Sequence, residues 1–181
     1  MVVQKIELPS DSVLKKNHYD YADSYSGKFI DTNNEVNILL IAKAFFSSSP
    51  KWIGKLFVIR NRIVSVFGLK TGNKIEDPLE LINNFEGNTG EQLGLFKVYK
   101  KTESEIILGE NDKHLDFRVS LLLSPNEINK KEKDITISTT VNFNNWLGKL
   151  YFFPVKPFHK LIVPIILKEI IKKINQHTIS H

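Results

Sequence analysis

Residues 114–118 are His-Leu-Asp-Phe-Arg (HLDFR), and polar and apolar side chains alternate along them. Because successive side chains of a β-strand point to opposite faces, this alternation predicts a strand with His114, Asp116 and Arg118 on one face. The apolar character continues as far as Ser124. The segment therefore predicts a strand in the second half of the chain, and it brings three chemically capable side chains close together.

Three other segments of this half have the same β character, with alternating or β-branched residues between polar turns. They are Gln92–Tyr99, Glu105–Gly109 and Asp134–Phe143, and together with His114–Ser124 they predict an antiparallel meander. Nearer the N-terminus, Tyr19–Ile30 has aromatic residues two or four positions apart and predicts a first strand. Strands and helices do not alternate in βαβ order, which disfavours a parallel sheet.

Two helices are predicted after the first strand. Thr32 and Glu35 have the spacing of a capping box, which predicts a helix from there to about Phe46. The segment 49–67 begins with serine and proline, residue types that suit the N-cap and the first helical turn, and it predicts the second helix. A further short helix is predicted at 77–85, where Asp-Pro repeats the same signal.

The end of the chain predicts a long C-terminal helix. From Pro157 to about Gln176 apolar residues recur every three or four positions, and Pro164 is expected to kink or split the helix. The order of strand, two helices, antiparallel meander and long helix predicts an α+β helix-grip fold. In this fold a curved antiparallel sheet is wrapped around the C-terminal helix. We expect residues 1–181 to form a single domain.

Composition narrows the class of protein. Hydrophobic residues make up 41% and charged residues 25% of the chain, which is typical of soluble globular proteins. Cysteine is absent, which excludes disulfides, thiolate metal sites and cysteine nucleophiles. The first residues, MVVQKIELPSDS, do not resemble a secretory signal, and each apolar run is shorter than the roughly 20 residues of a membrane span. We therefore expect a cytoplasmic protein.

The net charge of +5 is concentrated at the end of the chain. Residues 145–181 contain six lysines and one acidic residue, Glu169. A solvated helix face is the favoured interpretation, and no nucleic-acid partner is expected because no aromatic pattern typical of RNA-binding domains accompanies the lysines.

Trp52, Trp146 and the phenylalanines are expected in the core or a cavity wall. The cationic amphipathic segment Pro50–Lys70 predicts weak contact with an anionic membrane surface, which makes a membrane-surface module a third functional class.

Four motifs resemble a known group of proteins: FFSSSPKW (45–52), RN (60–61), HLDFR (114–118) and NNWLGKLYFFPVKPFH (144–159). Together they resemble an uncharacterised family grouped with the START and birch-allergen-like superfamily, also called SRPBCC. The resemblance extends from about Tyr21 to Leu167, and Lys149 stands where arginine is expected. It implies a cavity between sheet and helix, and it brings no catalytic residues and no cofactor.

The leading hypothesis is therefore non-catalytic: the protein binds a small apolar or amphipathic molecule in that cavity. Ligand pockets are mostly apolar with a few polar anchors, and this chain is rich in phenylalanine, isoleucine and leucine. The candidate ligand-binding residues are Trp52, Arg60, Phe117 and His159.

The alternative hypothesis is an enzyme of the cyclase, dehydratase or hydrolase kind. His114 would be the acid–base group and Asp116 would orient it, while Arg118 or Tyr151 would stabilise a developing oxyanion. This requires the polar face of the strand to border the cavity. If that face is convex instead, the three polar residues form a solvated charge array and the apolar residues at 115, 117 and 119 fill the core, which strand alternation favours.

Two further expectations concern the same residues. Some iron sites consist of two histidines and one carboxylate, and His114, Asp116 and the distant His159 are residues of these types. The adjacent Arg118 would repel the cation. No metal is therefore expected. An arginine two residues from an aspartate on a strand lies within reach of it. We therefore expect Arg118 to pair with Asp116 or with a carboxylate of a neighbouring strand.

Overall fold

The alternating segments form strands. The computed structural model describes residues 2–16, 18–48, 78–126, 129 and 131–179. Seven strands in this part of the chain form one antiparallel sheet: β1 (Val3–Ile6), β2 (Tyr21–Ile30), β3 (Gln92–Leu93), β4 (Phe96–Lys101), β5 (Glu105–Asn111), β6 (Leu115–Pro125) and β7 (Glu132–Phe143). Their spatial order is β1-β2-β7-β6-β5-β4-β3.

The helices complete the predicted α+β architecture. They are α1 (Ile38–Ser47), α2 (Pro78–Asn84) and α3 (Trp146–Ile179). Both α1 and α2 lie between β2 and β3, and α3 follows β7 and packs against β2, β7 and β1. The prediction of a curved antiparallel sheet with a long C-terminal helix is confirmed. The predicted helix at 49–67 lies outside the described residues.

The strand β1 was not predicted. It contains four residues and pairs with β2, with Val3 opposite Gly27. A segment this short has too little periodicity to stand out in the sequence. Its strand conformation depends on the partner that β2 offers at the edge of the sheet.

The capping-box prediction at Thr32 is wrong, because α1 begins at Ile38 with Asn37 as its N-cap. Asn37 Oδ1 accepts a hydrogen bond from Leu40 N at 3.0 Å.

Asp31 organises the preceding turn instead. Its buried carboxylate accepts hydrogen bonds from the backbone N–H groups of Glu35 and Val36, at 3.0 and 3.2 Å. Lys133 Nζ lies 2.6 Å from the same carboxylate. A buried, ion-paired carboxylate is a stronger acceptor than the Thr32 hydroxyl, and this explains why the chain turns here before the helix starts.

The helix α3 begins at Trp146 and not at Pro157. Asn145 Oδ1 accepts a hydrogen bond from Gly148 N at 3.2 Å, which caps the helix. Each of the three prolines inside α3, at 154, 157 and 164, removes a backbone hydrogen bond, yet the helix continues through Pro164. It persists because its buried side is held against the sheet, and tertiary packing supplies most of the stability of a protein helix.

The sheet has an inner face, which packs on α3, and an outer face on the opposite side. The odd-numbered residues of β2, β6 and β7 point to the inner face. There Phe29, Leu121 and Ile137 form a buried cluster with Leu167 and Ile170 of α3. This assignment decides where each candidate side chain points.

Asp134 of β7 offers a test of how burial and charge balance in this sheet. Burial raises the pKa of its carboxyl, and this outweighs the opposing attraction of Lys28. An acid whose pKa is higher in the folded protein than in the unfolded chain binds its proton more tightly when folded. Stability is therefore lost as the pH rises from about 3.9, the ordinary carboxyl pKa, through the raised value.

We expect Asp134→Asn to raise the Tm at neutral pH, and the gain to shrink as the pH falls towards about 4. Thermal melts followed by circular dichroism at several pH values measure this. A variant Tm below that of the wild type at neutral pH would contradict the prediction and show that the Lys28 attraction outweighs desolvation.

Candidate functional site

The HLDFR segment is divided between the two faces of β6. Phe117 points to the inner face, where it packs against both buried hydrophobic clusters. Asp116 and Arg118 point to the outer face and line a pocket there. His114 precedes the strand, which begins at Leu115. The apolar residues are therefore the inward set, and the three polar side chains do not form one site beneath α3.

His114 and Asp116 have separate partners at the start of α3. Nδ1 of His114 lies 3.2 Å from Oδ1 of Asn145, the N-cap of the helix. The His114 carbonyl accepts a hydrogen bond from Asn144 N at 2.9 Å, and Asp116 Oδ1 accepts one from Asn144 Nδ2 at 3.1 Å. These contacts hold the helix terminus to the β5–β6 turn. The structure does not join His114 and Asp116 as an acid–base pair.

The expected carboxylate partner of Arg118 is not found among the described residues, so that prediction is wrong. Its Nη1 donates to the carbonyl oxygens of Glu110 and Phe117 at 3.2 and 2.8 Å, and its Nη2 donates to Asn111 Oδ1 at 2.6 Å. The guanidinium carbon lies 3.6 Å from the centroid of the Tyr99 ring. Arg118 is thus held by neutral acceptors and a cation–π contact.

The pocket beside Arg118 has a volume of about 270 Å³. Close by, the buried Glu105 carboxylate accepts hydrogen bonds from Ser12 Oγ at 2.6 Å and Ser120 Oγ at 2.5 Å. Glu105 thereby fixes the N-terminal segment, which borders the pocket, to the outer face. The volume is slightly below the roughly 300–1,000 Å³ of most ligand sites.

A polar cluster lies on the inner face beneath α3. Asp23 of β2 is 5% exposed, and its Oδ2 accepts a hydrogen bond from the Tyr21 hydroxyl. Its Oδ1 lies 3.1 Å from Nε2 of His159 on α3. An ionised carboxylate only accepts hydrogen bonds, so this nitrogen of His159 carries a proton. Nδ1 of His159 has no hydrogen-bond partner in the described part of the chain.

Burial and the neighbouring Asp23 raise the pKa values of the two tyrosines on this strand. Burial, the hydrogen bond to Asp23 and the Asp23 charge all raise the pKa of Tyr21. Burial and the Asp23 charge raise the pKa of Tyr25. Both hydroxyls therefore keep their protons at neutral pH and can serve as hydrogen-bond donors. Lys156 Nζ lies 5.1 Å from the centroid of the Tyr21 ring and adds a positive charge beside the cluster.

Thr139 of β7 lies directly opposite Asp23 in the sheet register and is 5% exposed. Its hydroxyl has no hydrogen-bond partner among the described residues. A buried polar group without a partner costs about 1–3 kcal/mol. Around it the wall is aromatic: the rings of Tyr21 and Phe152 are 4.9 Å apart, and Tyr151 packs against them. The inner face thus combines unused hydrogen-bonding capacity with an apolar wall.

Comparison with known proteins identifies a family. The family model described as "Protein of unknown function (DUF2867)" matches residues 16–166. The chain belongs to this family. A crystal structure described as that of a conserved protein from Geobacillus kaustophilus is similar over 86% of this chain and 96% of that chain, with 12% identity and a TM-score of 0.42. That similarity is too low to carry an argument. No curated protein matches the chain significantly.

Tyr21 and Asp23 are not among the site residues predicted from the sequence. A signal was present, because Tyr21, Asp23 and Tyr25 occupy alternate positions, and a strand places all three on one face. A carboxylate between two tyrosines on a face that also carries Phe29 requires a partner. The candidates Trp52 and Arg60, like the amphipathic segment at 50–70, lie outside the described residues.

Proposed function

We propose that this protein binds a small apolar or amphipathic molecule at the inner face of the sheet, beneath α3. Asp23, His159 and Thr139 are the polar anchors. The observation that carries the proposal is the buried Thr139 hydroxyl, which has no partner among the described residues although it lies opposite Asp23. Buried polar groups in native proteins nearly always have a partner, and a bound molecule would supply it.

The surroundings of Thr139 define the ligand. Phe117, Tyr151 and Phe152 provide an apolar wall, which suits an apolar body. Nδ1 of His159, which has no partner in the described chain, can accept a hydrogen bond when the imidazole is neutral, and the Thr139 hydroxyl can donate one. A hydroxyl group, which both donates and accepts, therefore suits the polar end of the ligand. The SRPBCC resemblance, which implies a cavity between sheet and helix, supports the same location.

The test is native mass spectrometry of protein purified from its own host, combined with Thr139→Val. Valine has nearly the shape of threonine but no hydroxyl, so the variant removes a buried polar group for which the described residues offer no partner. After removal of any bound molecule from both proteins, we expect the Tm of the variant to exceed that of the wild type, and we expect the variant not to retain the co-purifying molecule. Misfolding would instead lower both the Tm and the amount of bound molecule. A higher Tm together with loss of the molecule therefore indicates a binding role for Thr139.

Thr140→Val is the matched control. Thr140 follows directly in β7, points to the outer face, is 1% exposed and also has no partner for its hydroxyl in the described chain. This variant should gain stability and keep the ligand. Wild-type protein without any co-purifying molecule, or equal ligand retention in both variants, would refute the proposal.

Acid–base catalysis is a second candidate, with different residues from those predicted. A buried carboxylate orients the protonated Nε2 of His159 and leaves Nδ1 free, which is the arrangement a general base needs. The co-purified compound would be incubated with fresh wild-type protein and with His159→Gln. A mass change that depends on His159 supports catalysis, and recovery of the unchanged compound with the wild type argues for binding alone.

A further inference from the structure

The side of α3 that faces away from the sheet carries an apolar stripe. It consists of Trp146, Leu150, Phe153, Leu161 and Ile165, which we call the α3 stripe. These residues recur at the spacing of helical turns and all are exposed, with exposed fractions of 69% for Trp146, 80% for Phe153 and 65% for Leu161. The expectation that Trp146 and the phenylalanines lie in the core is wrong at these positions. Soluble proteins rarely leave so continuous an apolar surface in water.

The helix is apolar on both sides in its first five turns. Phe152, Val163 and Ile166 are buried on the side that faces the sheet. A helix that is apolar all round belongs in a protein core or a membrane. Among the described residues, Trp146–Gln176 is long and apolar enough to cross a membrane, because it contains an 18-residue stretch with a mean hydropathy of 1.4, and only 22% of that stretch is buried. Packing on the sheet therefore accounts for one side of the helix only.

The contacts of α3 favour lying on a membrane over crossing it. Leu167, Ile170 and Ile171 are fully buried in the core shared with the sheet, and a crossing helix would have to leave it. Exposed lysines also occur within the apolar half of the helix, at 149, 156 and 160. A helix that keeps one side on its own domain can still bury the other side among lipid headgroups.

The charge of α3 indicates which surface covers the stripe. The helix contains six lysines and one acidic residue, Glu169. A second copy of the chain would bring the same positive charge against its own, whereas anionic headgroups would neutralise it. We infer that the α3 stripe docks the protein on an anionic lipid surface, with the lysines contacting headgroups. This inference does not depend on the proposed ligand site.

The test is flotation of the full chain with phosphatidylcholine vesicles containing about 30% phosphatidylserine, at low and at high salt. We expect binding that weakens with salt and is lost without phosphatidylserine. The variant Lys149→Glu/Lys160→Glu should lower vesicle partitioning at least about 25-fold, because each lysine near a membrane surface contributes about fivefold. Lys156 is left unchanged because it lies beside the proposed ligand site.

The matched control reverses two exposed lysines away from α3, Lys5→Glu/Lys97→Glu, and has the same net charge. It should keep most of the binding. An equal loss in both variants would mean that net charge alone draws the protein to the vesicles, and this would overturn the assignment to α3.

A second arm tests the apolar contacts with Phe153→Ser/Leu161→Ser. Flotation should fall while the thermal melt stays unchanged, because both side chains are exposed. The control Val2→Ser/Ile30→Ser removes two exposed apolar side chains elsewhere and should bind as the wild type does. Two results would overturn the inference: no flotation of the wild type, or a dimer in analytical ultracentrifugation that Phe153→Ser/Leu161→Ser dissociates.

Discussion

Replacing Gly148 with alanine should destabilise the protein by about 3 kcal/mol or more, although alanine is the better helix former. A Cβ atom at position 148 would lie 2.1 Å from the carbonyl oxygen of His114 and 3.0 Å from its carbonyl carbon. Both are backbone atoms of the β5–β6 turn, so relief requires the first turn of α3 to move away from the sheet. The gain in helix propensity is only about 1 kcal/mol. Urea denaturation followed by circular dichroism measures the net effect.

Gly27→Ala is the comparison that isolates the backbone contact. Its Cβ would lie 2.6 Å from Cδ1 of Ile171, the end of a flexible side chain that can change rotamer. The loss at Gly27 should therefore be smaller than the loss at Gly148. A Gly148→Ala protein as stable as the wild type would show that the helix terminus is not held closely against His114.

Asp23→Ala should destabilise the protein by about 2–4 kcal/mol. The variant leaves the Tyr21 hydroxyl and Nε2 of His159 without their acceptor, and both lie in a largely buried cluster. Loss of one partner from a buried polar network costs more than the interaction itself, because the remaining groups stay desolvated. The midpoint of urea denaturation, with the slope compared to the wild type, measures this loss.

Asp23→Asn is the matched control for Asp23→Ala, because it keeps the shape and one acceptor oxygen. It should lose less stability, since the amide oxygen can accept from Tyr21 and the amide nitrogen can donate to His159 in its other tautomer. Nitrogen-15 chemical shifts of the imidazole would report that change of tautomer. Equal stability of Asp23→Ala and the wild type would mean that the cluster contributes nothing to the fold.

Local patterns explain why the strands were predicted well. The predicted strand His114–Ser124 differs from β6, Leu115–Pro125, by one residue at each end. The alternation of polar and apolar residues depends only on neighbouring positions, so it can be recognised in the sequence without knowledge of the fold. The predicted start of α1 at Thr32 is wrong because Asp31, and not Thr32, organises this turn. Asp31 is ion-paired with Lys133, which lies on a strand distant in sequence. Sequence spacing around Thr32 contains no trace of that partner.

Side-chain partners were predicted less well than elements. Arg118 was expected to find a carboxylate, yet strand pairing brings it to Tyr99 and Asn111 instead. The proximity of Asp116 in sequence was misleading, because two side chains on one strand face can extend in different directions. His114 was placed on the strand but lies before it, where it holds the N-cap of α3.

The sequence by itself determined the positions of most strands, the antiparallel α+β architecture, the long apolar C-terminal helix and its positive charge. Each of these follows from periodicity or composition, which are local properties. Only the tertiary structure decided that Asp23 meets His159 across 136 residues, that the nearby Thr139 hydroxyl has no partner among the described residues, and that one side of α3 remains exposed. These depend on strand register and on which helix side packs against the sheet, and both are set by contacts between distant segments.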